Sequence, residues 1–320
     1  MRRSTNRLLI HAIHVLLAAS CAAPFAANAA AADAALKVGD QQLQTRGILE
    51  ASGQLKDVPY TIEWFNFPAA QPLGEALNAG AIDIGGLGDA PLIFAYAAGA
   101  KVRAVAATRS TPLDLAIIVP AGSPILTPAD LRGKRIATTR GSIGHYLVVA
   151  TLGRAGIKPS DVSLRFMQPA DAKSALASGD VDAWSTWDPY VALSEQLDRT
   201  RSIANGVNLT SGLSFQAATE ASIKTKHDQI ADFLKRVAAG QRWALSHPDE
   251  VAAMQSKVTG LPPSVLKTVY RRAQLHPVAI DDALIAEQQR TADLYLRADV
   301  IKTQLDVKPS FDRQFPLDAP

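Results

Sequence analysis

Three short runs in this chain carry residues suited to gripping an anion: Gly88-Asp89-Ala90-Pro91, Gly141-Ser142-Ile143-Gly144-His145 and Trp187-Asp188-Pro189-Tyr190. Each reads as a loop between a buried strand and the start of a helix, where unpaired backbone N–H groups and about half a positive charge face outward. Gly141 and Gly144 let a ligand approach the backbone, Ser142 offers a hydroxyl and His145 an imidazole N–H, while Gly88 opens the first of the three loops. Asp89 and Asp188 would repel an anion directly, so their expected work is to cap their own helices and order the loops. Gln41, just past the first strand, supplies an amide, while Trp187 and Phe215 supply apolar walls. Arg140 is the cation beside these loops, and a solvated surface charge is its ordinary role. One helix terminus contributes about 0.3–2 kcal/mol, whereas micromolar binding needs about 8 kcal/mol, so several must converge on one point.

Nothing here spells a reaction. The single cysteine is Cys21, and His145, His227, His247 and His276 are scattered without metal-ligand spacing. The run from Gly141 to His145 has the wrong order for a nucleophile elbow. No catalytic residue, metal or cofactor is expected.

The elements that must hold these loops repeat. EALNAGAIDIGGLGDAP at 75–91 returns 99 residues later as SALASGDVDAWSTWDPY at 174–190, with Ala76, Leu77, Gly80, Asp83 and Asp89 in register with Ala175, Leu176, Gly179, Asp182 and Asp188. Each copy spells a helix end, a glycine stop, a buried strand and a loop opening another helix, so two similar lobes with a cleft between them follow. Strands are expected at 36–39, 60–65, 102–107 and 114–119, and again at 135–139, 162–166, 181–184 and 201–204, alternating with helices in largely parallel α/β sheets. Breaks at 118–124 and near 212–220 read as the two crossovers. They divide the chain into a first lobe of 36–119 plus 217–300 and a second of 120–216. Beyond Ser222 the pattern is helical, at 227–246, 249–258, 263–275 and 281–298, with no strands between; these helices are expected to pack on the first lobe, followed by a loose tail at 301–320.

Residues 1–29 combine Arg2, Arg3 and Arg7 with an apolar stretch from Leu8 to Ala19 and the small-residue run Ala27-Asn28-Ala29, which reads as a cleaved secretory signal ending near Ala29. Cys21 only partly fits a lipid-attachment box. Of the 33 basic and 30 acidic residues, the leader holds three Arg and no acid, so the mature chain is neutral and nothing argues for nucleic acid.

The chain resembles the substrate-binding proteins of importers for aliphatic sulfonates, within the nitrate, sulfonate and taurine group. The resemblance runs from about Leu36 to Leu296. It is carried by Gly39-Asp40-Gln41, Phe67-Pro68-Ala69, the segment from Glu75 to Asp83, Gly88-Asp89-Ala90-Pro91, the run from Asp130 to Ala137, the run from Gly141 to His145, and Val181-Asp182-Ala183-Trp184-Ser185-Thr186-Trp187-Asp188-Pro189-Tyr190. It implies a two-lobed α/β periplasmic binding protein of type II, the Venus-flytrap form, with two crossover hinges and a C-terminal helical extension. The implied function is capture of a small anionic organosulfur ligand by a monomer in the periplasm, for an ABC permease and its ATPase. Departures at 41–45 and at Leu213 leave the ligand's organic tail open, with taurine, nitrate and sulfate esters as alternatives. A desulfinase or pyrimidine-synthase type of enzyme on the same fold, and a sensor input domain, are the competing readings.

Overall fold

The computed structural model describes residues 35–317. The signal segment, the site near Ala29 and Cys21 lie outside them, as do the last three positions. Two separate sheets organise the described chain, each flanked by helices, and together they form the two-lobed α/β architecture.

In the first lobe, β1 (Leu36–Gln41), β2 (Ile62–Phe67), β3 (Ile84–Gly88), β4 (Val102–Arg109), β10 (Leu213–Thr219) and β11 (His276–Val278) take the order β11-β4-β10-β3-β1-β2. In the second, β5 (Leu115–Pro120), β6 (Arg135–Thr138), β7 (Ser163–Phe166), β8 (Ala183–Trp187) and β9 (Thr200–Asn205) take the order β7-β6-β8-β5-β9. Both sheets are mixed rather than largely parallel. The strand that enters from the other lobe, β10 in one and β5 in the other, runs antiparallel to both its neighbours. Helices α1 (Gln44–Ala51), α2 (Ala70–Asn78) and α3 (Asp89–Ala97) belong to the first half, and α4 (Ile143–Arg154), α5 (Pro169–Ser178) and α6 (Tyr190–Leu197) to the second.

The sequence repeat is a structural repeat. Leu77 and Leu176 are both buried at the ends of α2 and α5, and Gly80 and Gly179 follow them in the left-handed conformation that a side chain would strain. Asp83 accepts the Lys37 backbone N–H at 2.8 Å, and Asp182 accepts that of Arg135 at the same distance. In both lobes this aspartate ties the start of the third strand to the start of the first.

The crossovers lie earlier than the breaks in the pattern suggest. All of β5 belongs to the second sheet and all of β10 to the first, so the chain passes between lobes at 110–114 and 206–212. Of the prolines that suggest a crossover, Pro120 ends β5 and Pro124 follows it; apolar Leu115 to Val119 are equally suited to either sheet, and only the pairing with β8 decides.

After β10, the helices α7 (Glu220–Thr225), α8 (His227–Ser246), α9 (Pro248–Thr259), α10 (Pro263–Ala273) and α11 (Asp282–Arg297) pack as the expected extension, with the short strand β11 interrupting them. The tail is not loose. Ile301, Val307 and Phe315 are buried, and Phe311 bridges to Ala104 on β4 and meets Phe215 edge-on at 5.4 Å. Apolar residues amid Pro and charge had concealed this packing. Apolar packing joins the lobes where α3 and α11 pack on α4 through Ile93, Tyr146, Val149 and Tyr295, and where α10 packs on α6 through Val265, Val269 and Ala192.

Candidate functional site

A cavity of about 200 Å³ opens where the two lobes face each other. The first lobe contributes Gln41 at the end of β1 and Gln42 beyond it, Gly88 and Asp89 where β3 gives way to α3, and Phe215 and Gln216 on β10. The second contributes Ser142, Ile143, Trp187 and Asp188, and the crossovers add Ser110, Asp114, Thr210 and Gly212. Of the nine residues singled out in the sequence, Gln41, Gly88, Asp89, Ser142, Trp187, Asp188 and Phe215 line it.

Gly144 and His145 do not. Gly144 faces β8, where a Cβ would meet the Ser185 carbonyl oxygen at 2.8 Å, so its glycine serves helix-to-strand packing. His145 is 2% exposed and turned into an aromatic cluster, its ring 5.0 Å from Phe166 and 5.8 Å from Tyr295. Its Nδ1 accepts the Gly141 N–H at 3.3 Å. Burial, and secondly the charge of Arg140, hold its pKa down at about 4, so at neutral pH it is an uncharged packing group. Ser142 is also committed: its hydroxyl donates to Thr139 O at 2.7 Å and accepts from His145 N at 3.1 Å, capping α4. What the loop offers the cavity is backbone, the first N–H groups of α4 ahead of the capped one.

Asp89 and Asp188 each accept a backbone N–H from the first turn of their own helix, α3 and α6, although neither is the capping residue itself. Asp89 Oδ1 accepts from Ala90 N at 2.6 Å and Oδ2 from the Ser211 hydroxyl at 2.6 Å, while Gln288 Nε2 donates to the Asp89 carbonyl at 2.7 Å. Asp188 Oδ1 accepts from Ala192 N at 2.9 Å, and Oδ2 stands 3.5 Å from Arg272 Nη1. Gln41 donates to the Gly86 carbonyl at 2.8 Å, which fixes its amide at the rim of β3. Trp187 lies half-buried, edge-on to Tyr190 with ring centroids 6.0 Å apart, and Phe215 is a fully buried wall. Trp184, on β8, is pure core and 1% exposed.

Several participants gave no local signal. Asp40 caps α1 from four residues upstream, accepting Thr45 N at 3.1 Å and Arg46 N at 2.8 Å. The Tyr190 hydroxyl crosses between lobes, accepting from Gln42 Nε2 at 2.9 Å and donating to Pro68 O at 3.1 Å. Thr108 and Gln241, hydrogen-bonded at 3.1 Å, face the cavity from β4 and α8. Their spacing, between 108 and 241, is invisible to any motif.

The charge of the cavity is unexpected. Four aspartates line it and none of its lining residues is Lys, Arg or His. Burial pushes the carboxyls of Asp40, Asp89 and Asp188 up to about 6, and Asp114, with the Asp188 charge adding to burial, up to about 7. The uncharged polar groups of the lining are backbone N–H, amide and hydroxyl groups, beside carboxyls that burial inclines towards the neutral form.

Comparison with known proteins sets this site among relatives. The NMT1/THI5 like family profile matches residues 68–251. An aliphatic sulfonates-binding protein of Escherichia coli (strain K12) is 33% identical over 89% of this chain and 90% of its own length. A taurine-binding periplasmic protein of the same organism is 25% identical over 75% of this chain and 74% of its own. Among solved structures, the alkanesulfonate-binding protein SsuA from Xanthomonas axonopodis pv. citri bound to MOPS superposes with a TM-score of 0.82 at 31% identity, covering 88% of this chain and 98% of that chain.

Proposed function

The chain belongs to the NMT1/THI5 like family, with aliphatic sulfonate-binding proteins as relatives over most of its length, and on that premise we propose that it captures a small organic sulfonate between its lobes for import. The observation that carries this reading is the cavity itself, placed where α4, α3 and α6 begin, so that helix starts from both lobes face one enclosed space. A sulfonate is a permanent anion with three acceptor oxygens, and such a head needs several fixed donors rather than an acid or base.

The proposed seat for the head lies between Gln41, Gly88 and Asp89 of the first lobe and the starts of α4 and α6, with the tail against Trp187 and Phe215. Binding to one lobe makes the other lobe's contacts cheaper to form, so ligand favours the closed arrangement. That arrangement is the one an ABC permease and its ATPase would accept, in the periplasm.

The acidic lining favours one variant of this reading. A sulfonate carrying an ammonium group, of which taurine is the simplest case, would place its cation beside Asp114 or Asp188 and remove the repulsion. An enzymatic role has less support: the relatives that match most of the chain are binding proteins, and His145 is packed among aromatics.

Calorimetry on the mature protein with alkanesulfonates, taurine, a sulfate ester and nitrate tests the proposal. A cognate ligand at a hundredfold over its Kd should also stabilise the protein by about 2.7 kcal/mol in thermal unfolding. No heat and no stabilisation with any sulfonate would reject the reading, and release of sulfite would turn it into an enzyme.

A further inference from the structure

A second cleft, of about 650 Å³, has the opposite charge. Arg140, Lys158 and Phe166 form its second-lobe wall, and Arg297, Asp299 and Lys302 its first-lobe wall. Asp299 pairs with Lys302 at 2.7 Å, whereas Arg140, Lys158 and Arg297 have no ion-pair partner among the described residues. Arg140 is not loose: its guanidinium lies 3.8 Å over the Phe166 ring, which fixes its place while leaving its N–H groups free for an acceptor.

We propose that this cleft is a docking surface for a carboxylate-rich segment of a partner protein, and that it is read only when the two lobes hold the arrangement seen here. The walls come from different lobes, so a change in the angle between lobes changes their separation. Exposure decides between a small ion and a protein. The four cations are solvent-exposed, and a lone anion held by exposed charges is screened by salt within about 8–10 Å. A segment delivering several carboxylates excludes water as it binds and gains both steering and orientation. An anchored arginine on an aromatic ring is also the composition found at the energetic centre of protein interfaces.

The proposal rests on the sulfonate-capture reading for what closes the lobes. Its test measures fluorescence polarisation of a labelled oligo-glutamate peptide with the mature protein, free and saturated with a sulfonate established by calorimetry. Lys158→Glu and Arg297→Glu, one on each wall, are surface reversals outside the sulfonate cavity. The expected result is tighter peptide binding to the loaded protein, weakened about tenfold by either reversal and by added NaCl, with sulfonate affinity unchanged. Peptide binding that is equal for free and loaded protein, or indifferent to both reversals, overturns the proposal. So does displacement of the peptide by equimolar inorganic sulfate, or tighter binding to phosphatidylglycerol vesicles than to the peptide. Loss of sulfonate binding by the parent protein would instead fail the capture reading, so the two failures are distinguishable.

Discussion

Arg272, on α10 of the helical extension, reaches across to the second lobe and stands 3.5 Å from Asp188, a residue of the cavity wall, while its other nitrogen holds Glu195 at 2.9 Å. The Asp188 side chain is only 4% exposed, so the guanidinium is a charge partner it cannot replace with water. The contact therefore links the cavity to the packing of α10 on α6. Arg272→Met should leave two carboxylates partly unpaired and cost about 1–3 kcal/mol in urea unfolding. It should also raise the radius of gyration of the ligand-free protein in small-angle scattering; an unchanged radius would detach this pair from lobe closure.

Binding of a sulfonate that carries no ammonium group should tighten as pH falls from 8 to 6. Asp114 protonates near 7 and Asp40, Asp89 and Asp188 near 6, so acidification removes negative charge from the cavity and adds O–H donors. The same groups give stability the same sign. Their folded pKa values lie above the ordinary 3.8, so the folded state holds more protons than the unfolded one between about 4 and 7. The stability this confers is complete below pH 4 and is lost as pH rises through 6 and 7. Calorimetry across this range should show the trend for the parent and a smaller one for Asp114→Asn.

Trp187→Ala should weaken sulfonate binding about tenfold or more, close to 1.4 kcal/mol, because it removes the apolar wall beside Asp188. Circular dichroism should show the fold intact, since the side chain is half-buried at the edge of the second-lobe core. Combining it with Asp188→Ala should weaken binding further. Unchanged calorimetric affinity would reject this seat.

Tyr190→Phe keeps the ring and deletes the hydroxyl that joins Gln42 and Pro68 across the lobes. One such hydrogen bond is worth about 0.5–1.5 kcal/mol, so the ligand should leave roughly two- to tenfold faster in stopped-flow measurements. The rate of association should change less, because the bond joins the two lobes rather than guiding the ligand's approach.

The repeated aspartates offer a test of the fold. Asp83 bonds the Lys37 N–H, the Ser222 hydroxyl and the Lys226 ammonium, the last at 2.6 Å with its side chain 13% exposed. Asp182 has the Arg135 backbone and side chain and is 29% exposed. Asp83→Asn should cost about 1–3 kcal/mol in urea unfolding, and Asp182→Asn less. Hydrogen bonding to Arg135 holds the Asp182 pKa below its ordinary value, so its contribution is present at neutral pH and is lost as pH falls through the carboxylate range.

Much of this was legible in the residues. The repeat of Leu77, Gly80, Asp83 and Asp89 in Leu176, Gly179, Asp182 and Asp188 announced two like lobes, because helix end, glycine stop and strand are local events with local signals. Strand-to-helix loops at 88, 141 and 187 were equally plain, and seven of nine chosen residues reach the cavity. The crossovers were misplaced because Leu115 to Val119 suit either sheet. The packed tail was missed because Ile301, Val307 and Phe315 make no periodic pattern.

Direction of side chains and the meeting of distant segments belong to the folded chain alone. Spacing put His145 in the first turn of α4, but contacts with Phe94, Phe166 and Tyr295, from three other segments, turned its ring away from the ligand space. Asp40, Asp89, Asp114 and Asp188 lie far apart along the chain and gather in one cavity, with Arg272 behind them. The sequence determined which loops face the cleft, since that follows from short-range helix and strand preferences. Only the tertiary structure decided the charge the cleft presents, since burial and long-range partners set which groups meet and which of them stay ionised.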